Sequence, residues 1–170
     1  FCARWGGLNL ATGHGRLVPR RVTRVNVFIP VGWSPPARNR TRMKIEHLAL
    51  NVEDPLSVAR WYVDHLGFTI KRRVMKPPWV HFLADDSGSV MLELYGNPEA
   101  AITAFGEIEP LSLHLALVSE DIEADVERLA AAGAVPLGEI DQNPSGDRLV
   151  MIRDPWGFCL QLVQRSEPLV

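Results

Sequence analysis

From residue 43 onward, short aliphatic runs and amphipathic stretches follow one another in an order that occurs twice. The tetrapeptide His47-Leu48-Ala49-Leu50 returns 67 residues later as His114-Leu115-Ala116-Leu117. After each, apolar residues recur at helical spacing: Val58, Trp61, Tyr62, His65 and Leu66 in the first copy, Ile122, Val126, Leu129 and Ala130 in the second. They predict helices over 55–66 and 122–132, closed by Gly67 and Gly133 as C-terminal caps. Three apolar runs of strand length follow each helix, at 69–74, 80–84 and 89–95, then at 135–140, 148–152 and 158–163.

The turn before the last strand matches as well. Asp86-Ser87-Gly88 stands in one copy and Asp154-Pro155-Trp156-Gly157 in the other, and a polar strand residue, Glu93 or Gln161, follows the turn aspartate by seven residues in each. Two βαβββ units, each too small to cover its own sheet, predict one α+β domain over 43–170. Module one spans 43–95, a linker rich in Ala, Gly and Pro spans 96–110, and module two spans 111–170.

Strand alternation sorts these residues onto faces, because side chains two apart point the same way. Leu48, Leu50 and Val52 face the helix, and Ile45, His47, Ala49 and Asn51 face away from it. Leu113, Leu115 and Leu117 oppose Ser112, His114 and Ala116 in the same manner. In the last strands Val90, Leu92 and Leu94 oppose Met91, Glu93 and Tyr95, while Leu160 and Leu162 oppose Cys159, Gln161 and Val163. Each sheet therefore presents one histidine and one Glu or Gln on the face its helix does not cover.

Charge divides the chain. Residues 1–42 hold eight arginines and no acidic residue, so the remainder carries a formal −10 although the whole is only −2. An acidic body repels nucleic-acid phosphates, and no apolar run reaches the roughly 18 residues needed to span a bilayer. The leader has no periodicity, is broken by Pro19, Pro30, Pro35 and Pro36, and reads as a disordered extension ahead of Met43. Its arginines also suit a transit peptide, although the prolines spoil a long amphipathic helix. Cys2 and Cys159 imply no disulfide framework, which makes a reducing, cytoplasmic compartment the expectation.

The repeat, the matched turns and the four matched polar positions together resemble the vicinal oxygen chelate superfamily, the glyoxalase, bleomycin-resistance and extradiol dioxygenase relatives. The resemblance covers nearly all of 43–170. It implies a pseudo-symmetric cupped sheet with helices outside and a divalent metal held from the first and last strands, by His47, Glu93, His114 and Gln161. The cup can close within one chain or between two, and dimers are common among relatives. Imidazole and carboxylate suit zinc, nickel, iron or manganese, and two His with one carboxylate suit open-site iron. Such a centre would favour an anionic oxygen of a small-molecule substrate.

Three activities stay open at this point: a lyase or isomerase with Glu93 as catalytic base, an iron-dependent dioxygenase, and a metal-free binding protein of the bleomycin-resistance kind. Gln161 departs from the glyoxalase I pattern, in which a glutamate there commonly shuttles the proton; an amide cannot. Trp79, Tyr95, Met91, Met151 and Phe158 are candidate pocket residues, and His81 could line the cup or face solvent. Arg148 or Arg153 could bind a substrate anion, Trp156 could cap the pocket or cover its hairpin, and His65 suits a helix C-terminus. His14, in the leader, has no role in this reading.

Overall fold

The computed structural model describes residues 43–169; the leader expected to be disordered lies outside the described residues. Module one runs β1 (His47–Asn51), α1 (Pro55–Leu66), β2 (Thr69–Arg73), β3 (His81–Ala84) and β4 (Met91–Tyr95). Module two runs β5 (Leu115–Val118), α2 (Ile122–Ala131), β6 (Val135–Pro136), β7 (Asp141–Gln142), β8 (Arg148–Arg153) and β9 (Cys159–Gln164). The sheets have the orders β1-β4-β3-β2 and β5-β9-β8-β6, with β7 also on β8. In each the first strand lies parallel to the last, β1 on β4 and β5 on β9, and the other pairs are antiparallel. This is the α+β pair of modules that the repeat predicts.

Local chemistry fixes the helix ends. The Asp54 carboxylate accepts from Ser57 N at 3.1 Å with Pro55 opening α1, and Asp121 accepts from Ala124 N at 3.1 Å. Gly67 closes α1 in the left-handed conformation. Each helix packs on its own sheet, α1 on β2, β3 and β4 and α2 on β6, β8 and β9. The core between them includes Val58, Tyr62, Leu83, Leu94, Leu129, Ile152 and Leu160, all essentially without solvent contact. Each such side chain contributes about 1.5–3 kcal/mol by leaving water. No described helix is long and apolar enough to cross a membrane.

The modules meet through α1, the β8–β9 turn and a 3₁₀ turn at Phe105–Glu107 in the linker. Tyr62 Oη donates to Asp154 Oδ2 at 2.9 Å, and Trp61 Nε1 donates to the Ala132 carbonyl at 2.8 Å. Phe105 and Phe158 pack edge to face with centroids 5.2 Å apart. Gly157 lies so close to the linker that a Cβ there would sit 2.8 Å from Gly106 N.

Two local expectations are corrected. The run 135–140 makes only the two-residue β6, because Pro136 has no N–H to give and Gly138 turns the backbone to φ 145°; pairing resumes in β7. In the module-one turn the accepting carboxylate belongs to Asp85, which takes Ser87 Oγ at 2.7 Å and Gly88 N at 3.2 Å, and not to Asp86. The loop from β3 to β4 has one residue more than the loop from β8 to β9, so equal spacing from the last strand singles out the wrong aspartate.

Candidate functional site

Register brings the first candidates together. Ala49 pairs with Glu93, and Glu93 with Phe82, so His47, two residues before Ala49, shares their face. His47 Nε2 lies 3.2 Å from Glu93 Oε2, and its Nδ1 lies 2.5 Å from Glu46 Oε2. The ring also stands edge-on to Phe82 at 5.7 Å. Both partners of the His47–Glu93 contact keep some exposure, 34% and 19% of their side chains, so water and small molecules reach it.

The second copy repeats the placement with different chemistry. Ala116 pairs with Gln161, and Gln161 with Met151, on one face of sheet two. His114 precedes β5 and has Nδ1 2.8 Å from the Pro110 carbonyl; donation there leaves Nε2 as its acceptor nitrogen. Met151 Sδ is 3.9 Å from Cys159 Sγ, and burial pushes the Cys159 thiol up. A groove of about 660 Å³ opens beyond Ala116, between Val118, Val163 and Leu169.

The donor geometry of module one suits a divalent ion. Two ligand atoms each about 2.1 Å from a zinc-like ion are about 3.0–3.4 Å apart at usual coordination angles, and His47 Nε2 to Glu93 Oε2 falls in that range. Glu46 on Nδ1 supplies the outer carboxylate that commonly orients a ligating histidine. The expected convergence of all four residues is not found within the chain. Among the described residues no three His, Cys, Asp or Glu side chains cluster as metal ligands would. The physical reason is the joint: the modules meet through α1, which covers the other face of sheet one, so β1 and β5 remain edge strands of separate sheets.

The remaining candidates divide between faces. Tyr95 lies on the His47 side, paired with Asn51, whose amide donates to the carbonyls of Asn97, Ala100 and Ala101. His81 pairs with Leu94 on the helix-covered face; it is buried, with Nδ1 2.7 Å from the Trp79 carbonyl and Nε2 without a partner. Phe158 is also core. Trp79 is exposed in the turn before β3, at φ 57°. Arg153 shares the Gln161 side, but its guanidinium is spent on the carbonyls of Phe105, Ile108 and Gly157 at 2.7–2.8 Å. Arg148 pairs with Glu123 and Gln164. Trp156 stacks edge-on against Trp61 at 6.4 Å, covering the joint.

Glu46 and Phe82 escaped the sequence reading. Alternation assigns Glu46 to the helix side, yet it lies exposed just ahead of β1, its carbonyl held by Met91 N at 2.9 Å, and its carboxylate reaches the His47 ring. Phe82 was findable from the hairpin register alone.

A sequence model described as Glyoxalase/Bleomycin resistance protein/Dioxygenase superfamily matches residues 44–162. Among solved structures, TnmS3, an antibiotic binding protein from Streptomyces sp. CB03234, is 24% identical, with 75% of this chain and 99% of that one covered and a TM-score of 0.58. A glyoxalase family protein from Bacillus cereus is 19% identical over 77% and 98%, with a TM-score of 0.59. TioX from Micromonospora sp. ML1 is 23% identical over 72% and 98%, with a TM-score of 0.52. Among curated proteins none matches the chain.

Proposed function

Since the chain belongs to the glyoxalase, bleomycin resistance protein and dioxygenase superfamily, we propose that it is a metal-dependent enzyme of lyase or isomerase type, acting on a small oxygen-chelating substrate. The observation that carries this reading is the contact of His47 Nε2 with Glu93 Oε2, backed by Glu46 on the other ring nitrogen. His47 and Glu93 would hold the metal from one module-one face. His114 and Gln161 would complete the set from a module-two face, and a homodimer that juxtaposes the free edges of β1 and β5 is the arrangement we favour. Zinc, nickel, iron or manganese, when bound, supplies Lewis-acid polarisation of a substrate oxygen.

The side chains have distinct tasks in this scheme. Glu93, loosened from the ion, would be the base for a proton on the carbon beside a substrate carbonyl, leaving the enolate, since it is the carboxylate of the four and Gln161 cannot accept a proton. Gln161 offers an amide to a substrate oxygen. Glu46 keeps the His47 ring oriented, with Nδ1–H as donor.

Metal analysis of protein purified without added ions, beside deuterium exchange at the carbon alpha to the carbonyl across thiohemiacetals and acyl thioesters, tests the reading. Stoichiometric zinc or nickel with exchange lost in Glu93→Gln is expected, whereas stoichiometric iron with ring cleavage would make the chain a dioxygenase. Full metal content and activity in Glu93→Gln would overturn the assignment of Glu93. A second reading, a metal-free binding protein, is favoured by the likeness to an antibiotic binding protein and by the fact that His47 and Glu93 already satisfy one another. Absence of metal and of exchange with every compound would establish it over the first.

A further inference from the structure

Ten basic side chains stand between residues 43 and 169. Arg60, Arg128, Arg148 and Arg165 are in ion pairs, and Arg153 is held by three carbonyls. Of the other five, Lys71, Arg72, Arg73 and Lys76 fall within six residues, on β2 and the turn after it, and no hydrogen bond or ion pair to a described residue occupies their side chains. Every residue from Thr69 to Trp79 is exposed, and Ile70, Val74, Met75 and Trp79 set apolar surface among the charges. An otherwise acidic body thus carries one bare strand that is basic and partly apolar.

The same strand has unused backbone. β2 is the edge of sheet one opposite to β1, with β3 as its only strand neighbour. Val74 N donates to the Val80 carbonyl at 2.8 Å, so the alternation of an antiparallel ladder turns the N–H and C=O of Arg73 away from β3, to the open edge. Arg72 pairs with Phe82 and Arg73 with His81, so their side chains leave on opposite faces. The outer edge of sheet two offers no equivalent, since β6 has two residues and one is a proline. Lysine and arginine on an edge repel a second copy of the same strand. The same charges attract an acidic one. A flat anionic surface would meet the side chains of one face only, whereas an added strand has cross-strand neighbours on both. We infer that β2 is a docking edge for an acidic, extended segment of a partner protein, which joins sheet one as a fifth strand. Its carboxylates lie beside Arg72 on one face and Arg73 on the other, and its backbone exchanges hydrogen bonds with Arg73. The register shift at Lys71 starts the continuous pairing at Arg72. This edge lies across the sheet from β1, so it stays open in the homodimer favoured above and needs neither a metal nor the His47–Glu93 pair.

The test measures, by fluorescence anisotropy on the full chain, the binding of a labelled peptide of alternating glutamate and threonine and of its analogue with proline in place of threonine. Wild type should prefer the first about tenfold, because the prolines remove half of the backbone donors and leave the charge unchanged. Reversing two charges in Arg72→Glu with Arg73→Glu should weaken binding about tenfold, while Arg60→Glu on α1 should leave it unaltered. The eight arginines of residues 1–42 are common to every variant, so the differences report on β2. Amide exchange followed by NMR on wild type should slow at Arg73 when the peptide is added, a readout that does not depend on the variants folding. Equal affinity for the two peptides, full affinity in the double variant, or unchanged exchange at Arg73 would overturn the added strand. Sedimentation with phosphatidylserine vesicles in place of peptide binding would make the strip a membrane contact and overturn it too.

Discussion

Replacing Tyr62 with Phe removes one oxygen from the joint between the modules and should cost more at neutral than at acid pH. The hydroxyl is buried and donates to Asp154 Oδ2 at 2.9 Å, while Asp154 Oδ1 accepts from Trp156 N at 3.0 Å and Phe158 N at 2.9 Å. Burial, and after it the Asp154 charge, push the Tyr62 phenol well above its ordinary range, so it remains a donor throughout the accessible pH scale. A hydrogen bond to a buried carboxylate is worth about 1.5–3 kcal/mol; for a domain of this size a loss of about 2 kcal/mol lowers Tm by about 7 °C.

The pH dependence follows from Asp154. Burial raises its carboxyl above the usual aspartate value, and the Tyr62 bond opposes that rise. A raised folded-state value means stability that is full below the unfolded value and falls as pH climbs through the folded one. Without the phenol the folded value climbs further, so the added penalty develops as pH rises above the wild-type value. Thermal unfolding of wild type and Tyr62→Phe at pH 4 and pH 7 measures both effects. A Tm difference under about 2 °C at pH 7, or one no larger there than at pH 4, would refute the reasoning.

Gly157→Ala should destabilise by about 3 kcal/mol or more, read from urea midpoints, because its Cβ would meet backbone atoms of Gly106 at 2.8–2.9 Å and its φ of 88° is already unfavourable for alanine. Asp147 is held down to about 2, first by the Ser166 N–H and then by Asn143 and Arg165. Its contribution is present above the ordinary aspartate value near 3.8 and is lost as pH falls toward 2, so Asp147→Asn should flatten the drop in urea midpoint between pH 5 and pH 2.5. Cys159, buried and with its thiol raised by burial, should resist iodoacetamide in the native state and react once unfolded, as peptide mapping by mass spectrometry would show.

The parts of this fold that were legible in the sequence are those governed by local periodicity. Both helices and the long strands follow from side-chain alternation and from capping residues a few positions away. The face of His47 and Glu93 was equally readable, since a parallel pairing of first and last strands leaves them on the same side. What could not be read depends on packing between distant segments. His81 sits beside Trp79 in sequence as a pocket residue would, but its partner across the strand is Leu94, which fixes it inside the core. The duplicated histidines likewise gave no hint that α1 and the Asp154 turn would form the joint, and that choice decides whether the two polar pairs meet within a chain. Arg153 looked available as an anion binder because the linker carbonyls that occupy it lie about 45 residues back along the chain.

The His47–Glu93 contact stands on the open side of its sheet, while the residues that hold the fold together lie under the helices. A partly exposed pair of this kind is worth about 1 kcal/mol to folding. Exchanging either residue should therefore leave a well-folded protein behind, which makes a lost activity in such a variant attributable to chemistry.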